Sequence, residues 1–270
     1  MVQIGNSAEK RCTGSFISSK HVITAAHCFI EEKSCYKEYV YKGNISEVFT
    51  NEGYTVHYGT HCVKIRDSGK CPNYQGKSIA IKHVIIPKSY VLSNCGLGDI
   101  AIAELASEID IAKGHLDTVC LPHANTTAAQ LIVGAGFGMD PHDPYAAQKH
   151  LEAAEFCKMK FCSPTVKAGN DTFCVLERKS FMCGGDSGGV IIQNANKHSD
   201  MAVAVLSKGP DCKLVDSMMA KENIGKWVGS VVTSTRLYAE FICHHTGVCA
   251  DGIQMETDKR LYHPQPLILK

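Results

Sequence analysis

The chain has 270 residues and a nearly balanced charge, with 28 Lys and Arg residues against 27 Asp and Glu residues. This length is sufficient for a full-sized hydrophobic core, and the absence of a dense basic run argues against nucleic acid or an anionic membrane surface as a partner. No apolar run approaches the roughly 20 residues that a transmembrane helix requires.

Short apolar or alternating segments, separated by Gly, Pro, Asn and Asp, recur along the chain. Their β-branched content predicts strands at 16–23, 78–86, 99–105, 131–133, 189–193, 201–206 and 228–233. Long amphipathic helices do not alternate with these strands, so we predict a mostly antiparallel all-β fold rather than a parallel α/β sheet. One helix is predicted at 235–244, where Leu237, Phe241 and Ile242 follow helical spacing.

Two segments lack this periodicity. Residues 31–78 are polar and cysteine-rich, and we interpret them as long loops held by disulfides. The tail after Cys249 is polar at first and ends in HPQPLILK, which we interpret as an extended strap.

The 14 cysteines are spread over the whole chain without a closely spaced CxxC pair, a pattern that disfavours zinc fingers and zinc ribbons. Glycosylation sequons at Asn44, Asn125 and Asn170 agree with the cysteines in indicating an oxidising, extracellular compartment. A cytosolic enzyme with buried free thiols is the alternative. Because residues 1–11 contain no apolar stretch of signal-peptide length, we expect the start of the chain to be truncated.

Three segments carry the residue types that nucleophilic catalysis requires. Residues 183–190 read CGGDSGGV and place Ser187 among four glycines. Residues 15–28 read SFISSKHVITAAHC, and residues 98–105 read GDIAIAEL, with Asp99 at the start of an alternating strand. A serine hydroxyl is a weak nucleophile until a base takes its proton, and a third group must orient that base.

In this order, the three segments resemble the trypsin and chymotrypsin family of serine endopeptidases. The resemblance extends to VCLP at 119–122, GAGFG at 134–138 and LSKGPDC at 206–212, and it covers the chain from about Cys12 to about Ile242. It implies two antiparallel six-stranded β-barrels with a C-terminal helix, packed as one peptidase domain. The implied boundaries are 1–118 for the N-terminal barrel, 119–234 for the C-terminal barrel and 235–270 for the helix and tail.

The resemblance also implies a role for each reactive residue. Ser187 is expected as the nucleophile, His27 as the general base and then acid, and Asp99 as the group that orients the imidazole. The backbone amides of Gly185 and Ser187 would form the oxyanion hole. Asp186 would pair with an amino terminus created by proteolytic activation, which we expect to lie upstream because few residues precede the first cysteine.

Three disulfides are implied by position in the family. They join Cys12 to Cys28, Cys162 to Cys174, and Cys183 to Cys212, with Cys157 as a rival partner in the second pair. Cys120 often pairs with a propeptide in relatives. The connectivity stays open for the others, which are Cys35, Cys62, Cys71, Cys95, Cys243 and Cys249.

Substrate specificity is expected to differ from that of trypsin-like relatives with an acidic pocket floor. The residue six positions before the nucleophile is Asp in those relatives and Phe181 here, followed by Met182. The other residues expected to line the pocket or the substrate backbone are Ser207, Lys208 and Gly209, with Gly229 or Ser230 on the opposite wall. Since a cationic substrate side chain would find no counter-charge among them, we predict a preference for an apolar or small P1 residue.

Two functions are compatible with these observations. The first is a secreted serine endopeptidase that acts on polypeptides without a cofactor and has protein protease inhibitors as a further class of partner. The second is a non-catalytic homologue that acts as an extracellular binding module. Adjacent His244 and His245 point in different directions on a helix, so we predict solvated imidazoles and no metal site. The oligomeric state stays open.

Overall fold

The computed structural model describes most of the chain. The described residues are 1–6, 11–30, 35, 53–64, 71, 76–114, 116–140, 143, 148–163, 166, 168–177, 180–196, 199–209, 212, 229–252 and 267–269.

The first barrel uses strands from the first 105 residues. They are β1 (Val2–Gly5), β2 (Arg11–Phe16), β3 (His21–Thr24), β4 (Thr55–Tyr58), β5 (Cys62–Lys64), β6 (Lys77–Ile86) and β7 (Ala101–Leu105). The sheet runs β6-β4-β1-β2-β3-β7, and β6 pairs again with β7, which closes it. β5 lies outside this sheet.

The second barrel uses strands from residues 131–234. They are β8 (Leu131–Gly136), β9 (Gln148–His150), β10 (Glu152–Lys158), β11 (Thr172–Leu176), β12 (Val190–Asn196), β13 (Ser199–Lys208) and β14 (Ser230–Ser234). Six of them close in the order β10-β11-β14-β13-β12-β8, and β9 pairs with β5 instead. The predicted fold of two antiparallel six-stranded barrels is confirmed.

The tail returns to the first barrel. Strand β15 (Leu267–Leu269) pairs antiparallel with β6, with Leu267 opposite Ile86 and Leu269 opposite Val84. The apolar end of HPQPLILK is thus extended, and its backbone covers part of the edge of β6.

In the part of the chain that the structure describes, the helices are short. They are a 3-10 helix at Ala26–Cys28, α1 (Lys88–Leu92), and a 3-10 helix at Thr235–Tyr238 that leads into α2 (Ala239–Thr246). The predicted helix at 235–244 therefore begins with a 3-10 turn, and it ends at Gly247, whose φ of 72° is a left-handed conformation that glycine adopts readily. Within the described residues, none of these helices combines the length and apolar character needed to cross a lipid bilayer.

The predicted strand at 16–23 is wrong as a single element. β2 ends at Phe16 and β3 begins at His21, and Ser18 Oγ accepts hydrogen bonds from the amides of Lys20 and His21. Such contacts between a serine side chain and the backbone stabilise turns. The Ser-Ser-Lys sequence therefore forms the turn of a β-hairpin.

The prediction of loops for 31–78 is also partly wrong. Both β4 and β5 lie in this segment, and so does the start of β6. In β4, Val56 is fully buried between half-buried neighbours. Disulfides tie the segment at two places, Cys35 to Cys95 and Cys62 to Cys71. The remainder of 31–78 lies outside the described residues.

Each barrel encloses its own apolar core, because side chains alternate between the two faces of a strand. In β8, Ile132 is buried whereas Leu131, on the opposite face, is exposed, and the alternation continues to Gly136. The larger cluster fills the first barrel and reaches Ile242 on α2. The smaller one fills the second barrel around Ile132, Phe156, Val175 and Val232.

On α2, the interpretation of both adjacent histidines as solvated is wrong for His245. Its ring packs edge-on against Phe241 at 5.0 Å, and burial, followed by the charge of His244, lowers its pKa from 6.5 to about 4. Between these two pH values the unfolded chain binds a proton that the folded chain excludes. Stability therefore rises with pH across this window and is lost as the pH falls from 6.5 towards 4.

We expect His245→Gln to reduce the loss of stability between pH 6.5 and pH 4, because glutamine has no proton to take up. The measurement is the urea midpoint of unfolding at several pH values in this window. His123→Gln, at an exposed histidine, is the control and should retain the wild-type pH dependence. Equal slopes for the His245→Gln variant and the wild type would contradict this assignment.

Candidate active site

The short segment after the end of β3 determines the position of His27. After Thr24 the chain passes through Ala25 and Ala26, which are fully buried, and a single 3-10 turn then presents His27 at the surface of the barrel. The next residue, Cys28, is bonded to Cys12 on the neighbouring strand. Small residues before the histidine and a disulfide after it thus fix the local backbone.

Asp99 holds this histidine by two contacts. Its Oδ1 accepts a hydrogen bond from the backbone amide of His27 at 2.9 Å, and its Oδ2 lies 2.8 Å from the ring Nδ1. Ser207 on β13 donates to the same Oδ2 at 2.6 Å. Because a carboxylate only accepts, Nδ1 carries the proton of a neutral ring and Nε2 is the nitrogen available as a base.

Asp99 is buried, and its pKa reflects opposing influences. Burial, the largest, raises the pKa, but the charge of His27 and the hydrogen bonds from His27 and Ser207 together outweigh it. The net pKa is lower than that of an ordinary aspartate, so this carboxyl stays ionised. Ser207, predicted as a pocket residue, is therefore also a partner of the Asp99 carboxylate.

Ser187 lies in a tight loop, residues 183–189, which we call the nucleophile loop. The carbonyl of Ser187 accepts a hydrogen bond from the amide of Thr13 on β2 at 2.8 Å. The next residue, Gly188, has a φ of 80°, and a Cβ there would collide with Thr24 Oγ1 and lie 2.9 Å from the amide nitrogen of Ala25. Glycine thus lets the loop pack against the segment that leads into His27, and the Sγ of Cys28, the residue after His27, lies 3.9 Å from the carbonyl oxygen of Ser187.

Asp186 anchors the nucleophile loop to the end of β8. Its Oδ1 accepts from the amide of Gly138 at 2.6 Å, and its Oδ2 accepts from the amide of Cys183 at 2.8 Å. A Cβ on Gly136 or Gly138 would overlap this carboxylate, so the glycines of GAGFG make room for it. The carboxylate borders a cavity of about 180 Å³ that Gly136, Gly138 and Phe181 also line.

Phe181 and Met182, which were predicted to line the substrate pocket, pack against different parts of the second barrel. Phe181 packs with Met139 against the Cys183–Cys212 disulfide. The Met182 side chain is buried in the core of the second barrel, with its sulfur close to Gly134. A Cβ on Gly209 would collide with the Met182 carbonyl oxygen, so the two facing walls nearly touch. Lys208, at the end of β13, is half-buried.

A buried carboxylate behind this pocket was not found from the sequence. Glu177 is 3% exposed, and its Oε1 accepts hydrogen bonds from the amide of Met182 at 2.9 Å and from Ser230 Oγ at 2.6 Å. A Cβ on Gly209 would lie 3.4 Å from Ser230 Oγ, which places Ser230 by that wall. Of the two residues predicted for the opposite wall, Gly229 packs against Val175 instead. The only sequence signal for Glu177 is an acidic residue directly after an apolar strand.

Asp171 is a second buried carboxylate that sequence reasoning missed. Its Oδ2 accepts hydrogen bonds from the amide of Gly98 at 2.7 Å and from the Tyr238 hydroxyl at 2.5 Å. Burial, and then the contact with Asp171, raises the pKa of Tyr238 above its usual value. Since Gly98 directly precedes Asp99 and has a φ of 75°, the second barrel fixes the backbone from which the Asp99 carboxylate projects.

The three disulfides implied by position are present, at Cys12–Cys28, Cys162–Cys174 and Cys183–Cys212. The described residues also include Cys35–Cys95, Cys62–Cys71 and Cys243–Cys249. Cys120 and Cys157 are free and exposed, so Cys157 is not the partner of Cys174. A closed disulfide framework is thus confirmed.

The described residues also include one group of potential metal ligands and two of the three glycosylation sequons. Among the described residues, one group of potential metal ligands, His27 with Cys12 and Cys28, has atoms within 4.8 Å of one another. Its two sulfurs form a disulfide, so they offer no thiolate to a metal. Of the sequon asparagines, Asn125 and Asn170 are exposed, and Asn44 lies outside the described residues.

Comparison with known proteins agrees with this geometry. A family-wide sequence model described as Trypsin matches residues 1–224. The chain is 28% identical over 226 residues to Trypsin-like protease try-5 of Caenorhabditis elegans, which covers 74% of this chain and 68% of the relative. It is 23% identical over 209 residues to Mannan-binding lectin serine protease 1 of Rattus norvegicus, covering 74% of this chain but 28% of that relative. For CLIP domain-containing serine protease B15 of Anopheles gambiae, identity is 26% over 200 residues, with 70% and 51% covered.

Proposed function

Because the chain belongs to the trypsin family, we propose that it is a secreted serine endopeptidase that hydrolyses polypeptides through an acyl-enzyme on Ser187. The observation that carries the proposal is the set of hydrogen bonds around Asp99, which receives both the ring and the backbone amide of His27. A carboxylate that only balanced charge would not need to contact both the ring and the backbone amide of the same histidine. This arrangement leaves Nε2 as the base.

The proposed reaction has two stages. In the first, His27 Nε2 takes the proton of the Ser187 hydroxyl while Oγ attacks the scissile carbonyl carbon, and the amides of Gly185 and Ser187 stabilise the negative oxygen. The protonated imidazole, stabilised by Asp99, then gives its proton to the leaving amine. In the second stage, His27 Nε2 takes a proton from a water molecule, whose oxygen attacks the acyl carbon. The bond between that carbon and Oγ then breaks, the imidazolium returns its proton to Oγ of Ser187, and the acyl part leaves as a carboxylic acid.

Secretion and glycosylation are parts of the same proposal. The six disulfides favour an oxidising compartment, because cytosolic thiols are normally kept reduced. The exposure of Asn125 and Asn170 makes both sequons accessible to glycan transfer. Protein protease inhibitors are a proposed class of partner, since they bind the cleft that a polypeptide substrate would occupy.

For substrate choice, we propose an apolar or small P1 residue. The contact between Gly209 and the Met182 carbonyl leaves little width between the walls, and Phe181 stands where an acidic floor would be expected. Hydrolysis of a P1-varied peptide library measures this directly. Preferred cleavage after Arg or Lys would contradict the proposal.

A fluorophosphonate probe tests the enzymatic function, because it reacts with serines that a neighbouring base activates. We expect the purified, folded protein to be labelled on Ser187, and the label to disappear on heat denaturation and in Ser187→Ala. Ser163→Ala, at a half-buried serine of the second barrel, is the matched control and should keep the label. Failure of the folded protein to react when it carries the amino terminus of its mature, processed form would favour the non-catalytic binding module.

A further inference from the structure

Thr13 is a fully buried threonine on β2 of the first barrel, and its hydroxyl contacts the second barrel. Its Oγ1 donates a hydrogen bond to the carbonyl of Gly185 at 2.8 Å. The same oxygen accepts a hydrogen bond from the amide of Phe137 at 3.0 Å. One hydroxyl thus joins the nucleophile loop to the segment that follows β8.

The rest of Thr13 also faces the nucleophile loop. Its amide donates to the carbonyl of Ser187 at 2.8 Å, and a Cβ on Gly189 would lie 3.5 Å from its methyl group. The carbonyls of Gly185 and Ser187 are therefore both held by Thr13, one by its side chain and the other by its backbone. These are the two residues whose amides are proposed to stabilise the oxyanion.

We propose that Thr13 is a positioning residue that holds the oxyanion-binding loop in its working shape from the first barrel, an inference that rests on the proposed peptidase function. The physical need arises at Gly185, whose φ of 107° lies in a region that glycine adopts without strain. The amide end of the Gly185–Asp186 peptide donates to the carbonyl of Cys183 at 3.0 Å, and the Thr13 hydroxyl holds the carbonyl end of the same peptide. Fixing its carbonyl removes the rotation that would turn the neighbouring amides away from the substrate oxygen.

This hydroxyl acts together with the Asp186 carboxylate. The amide of Phe137 donates to Thr13, and the amide of the next residue, Gly138, donates to Asp186 Oδ1. Two neighbouring amides on the chain after β8 therefore reach the nucleophile loop through two different side chains. Because Thr13 belongs to the first barrel, its contact with the loop does not depend on what pairs with Asp186.

The test compares Thr13→Val with Thr235→Val. Valine has the shape of threonine without the hydroxyl, so the variant removes both side-chain hydrogen bonds with little change in packing volume. Thr235 is also fully buried and donates to a backbone carbonyl, that of Ala202 at 2.6 Å, but it lies away from the loop. It therefore controls for the general cost of losing a buried hydroxyl.

We expect Thr13→Val to lower kcat about 10-fold to 100-fold with KM changed less than about threefold, since complete loss of one oxyanion donor costs about 100-fold to 1000-fold. Hydrogen exchange of amides 183–189, followed by mass spectrometry, should become faster by at least a similar factor. Thr13→Ser, which retains the hydroxyl, should restore both values. Thr235→Val should leave both close to those of the wild type.

Two results would overturn the proposal. One is a Thr13→Val variant whose kcat and loop exchange both stay within twofold of the wild type. The other is an equal loss in Thr235→Val. Exchange of amides 183–189 is measurable without catalysis, so a folded and correctly processed wild-type protein that is inactive refutes the peptidase function while the positioning role is still tested. If Thr13→Val does not fold, Thr13→Ala is compared with Thr13→Ser. These two variants also differ by the hydroxyl, and both side chains are smaller than that of threonine.

Discussion

Replacement of Asp99 by Asn should lower kcat by about 10⁴-fold while the protein stays folded. An asparagine fits the same space, but its amide group would donate to Nδ1 of His27 where the carboxylate now accepts at 2.8 Å. The neutral ring would then carry its proton on Nε2 and could not take the proton of Ser187. Losses of this size are typical when such a triad is held in the wrong tautomer.

Ser207→Ala is the matched comparison for Asp99→Asn. It removes one hydrogen bond to Asp99 Oδ2 but leaves the carboxylate and both contacts with His27. We expect a much smaller decrease in kcat, within about tenfold, because the tautomer is preserved. Steady-state kinetics with the melting temperature of each variant separates catalysis from folding. A folded Asp99→Asn variant with a kcat within tenfold of the wild type would rule out this role for Asp99.

The second large effect is expected at Asp186. The two oxygens of its carboxylate accept from the amides of Gly138 and Cys183, whereas an asparagine offers one acceptor and places an NH₂ group opposite the other amide. We expect Asp186→Asn to loosen the nucleophile loop and to lower kcat about 100-fold, as loss of an oxyanion donor does. The measurement is kcat for a peptide substrate together with the rate of fluorophosphonate labelling.

Asp110→Asn controls for the change from carboxylate to amide. Asp110 is exposed in the first barrel and pairs with Lys113 on the surface, so its loss should have little effect on kcat, since exposed ion pairs contribute little. This role for Asp186 is ruled out if the Asp186→Asn variant is labelled by the fluorophosphonate as fast as Asp110→Asn and has the same kcat.

The proposed catalytic residues could be identified from the sequence to the extent that they are embedded in short motifs. Small residues lie next to His27 and Ser187, and Asp99 lies at the start of an alternating apolar strand. Three such segments in this order are a specific signal of the family. The strands were predictable because apolar alternation and turn residues recur along the chain, whereas their closure into two barrels was implied by the resemblance to the family. The hairpin within 16–23 was missed because the apolar residues of its two strands are only a few positions apart, so they were interpreted as one strand.

The supporting contacts could not be predicted, because they join residues that are distant in the chain. Thr13 meets Gly185 across 172 positions, and Asp171 meets Gly98 across 73. A lone threonine in a strand or a lone acid before a strand has no local pattern that reveals its partner. The pocket was uncertain for a related reason, since the direction of Phe181 depends on how the chain packs around the Cys183–Cys212 disulfide.

Measured coupling between His27 and Ser187 tests the catalytic unit most directly. We would compare kcat for His27→Ala, Ser187→Ala and the double variant, with the melting temperature of each to show that it is folded. If the two side chains work as one unit, each single substitution should lower kcat to nearly the same residual level, and the double variant should fall no further. Losses that multiply in the double variant would mean that the two residues act independently, and they would contradict the proposed mechanism.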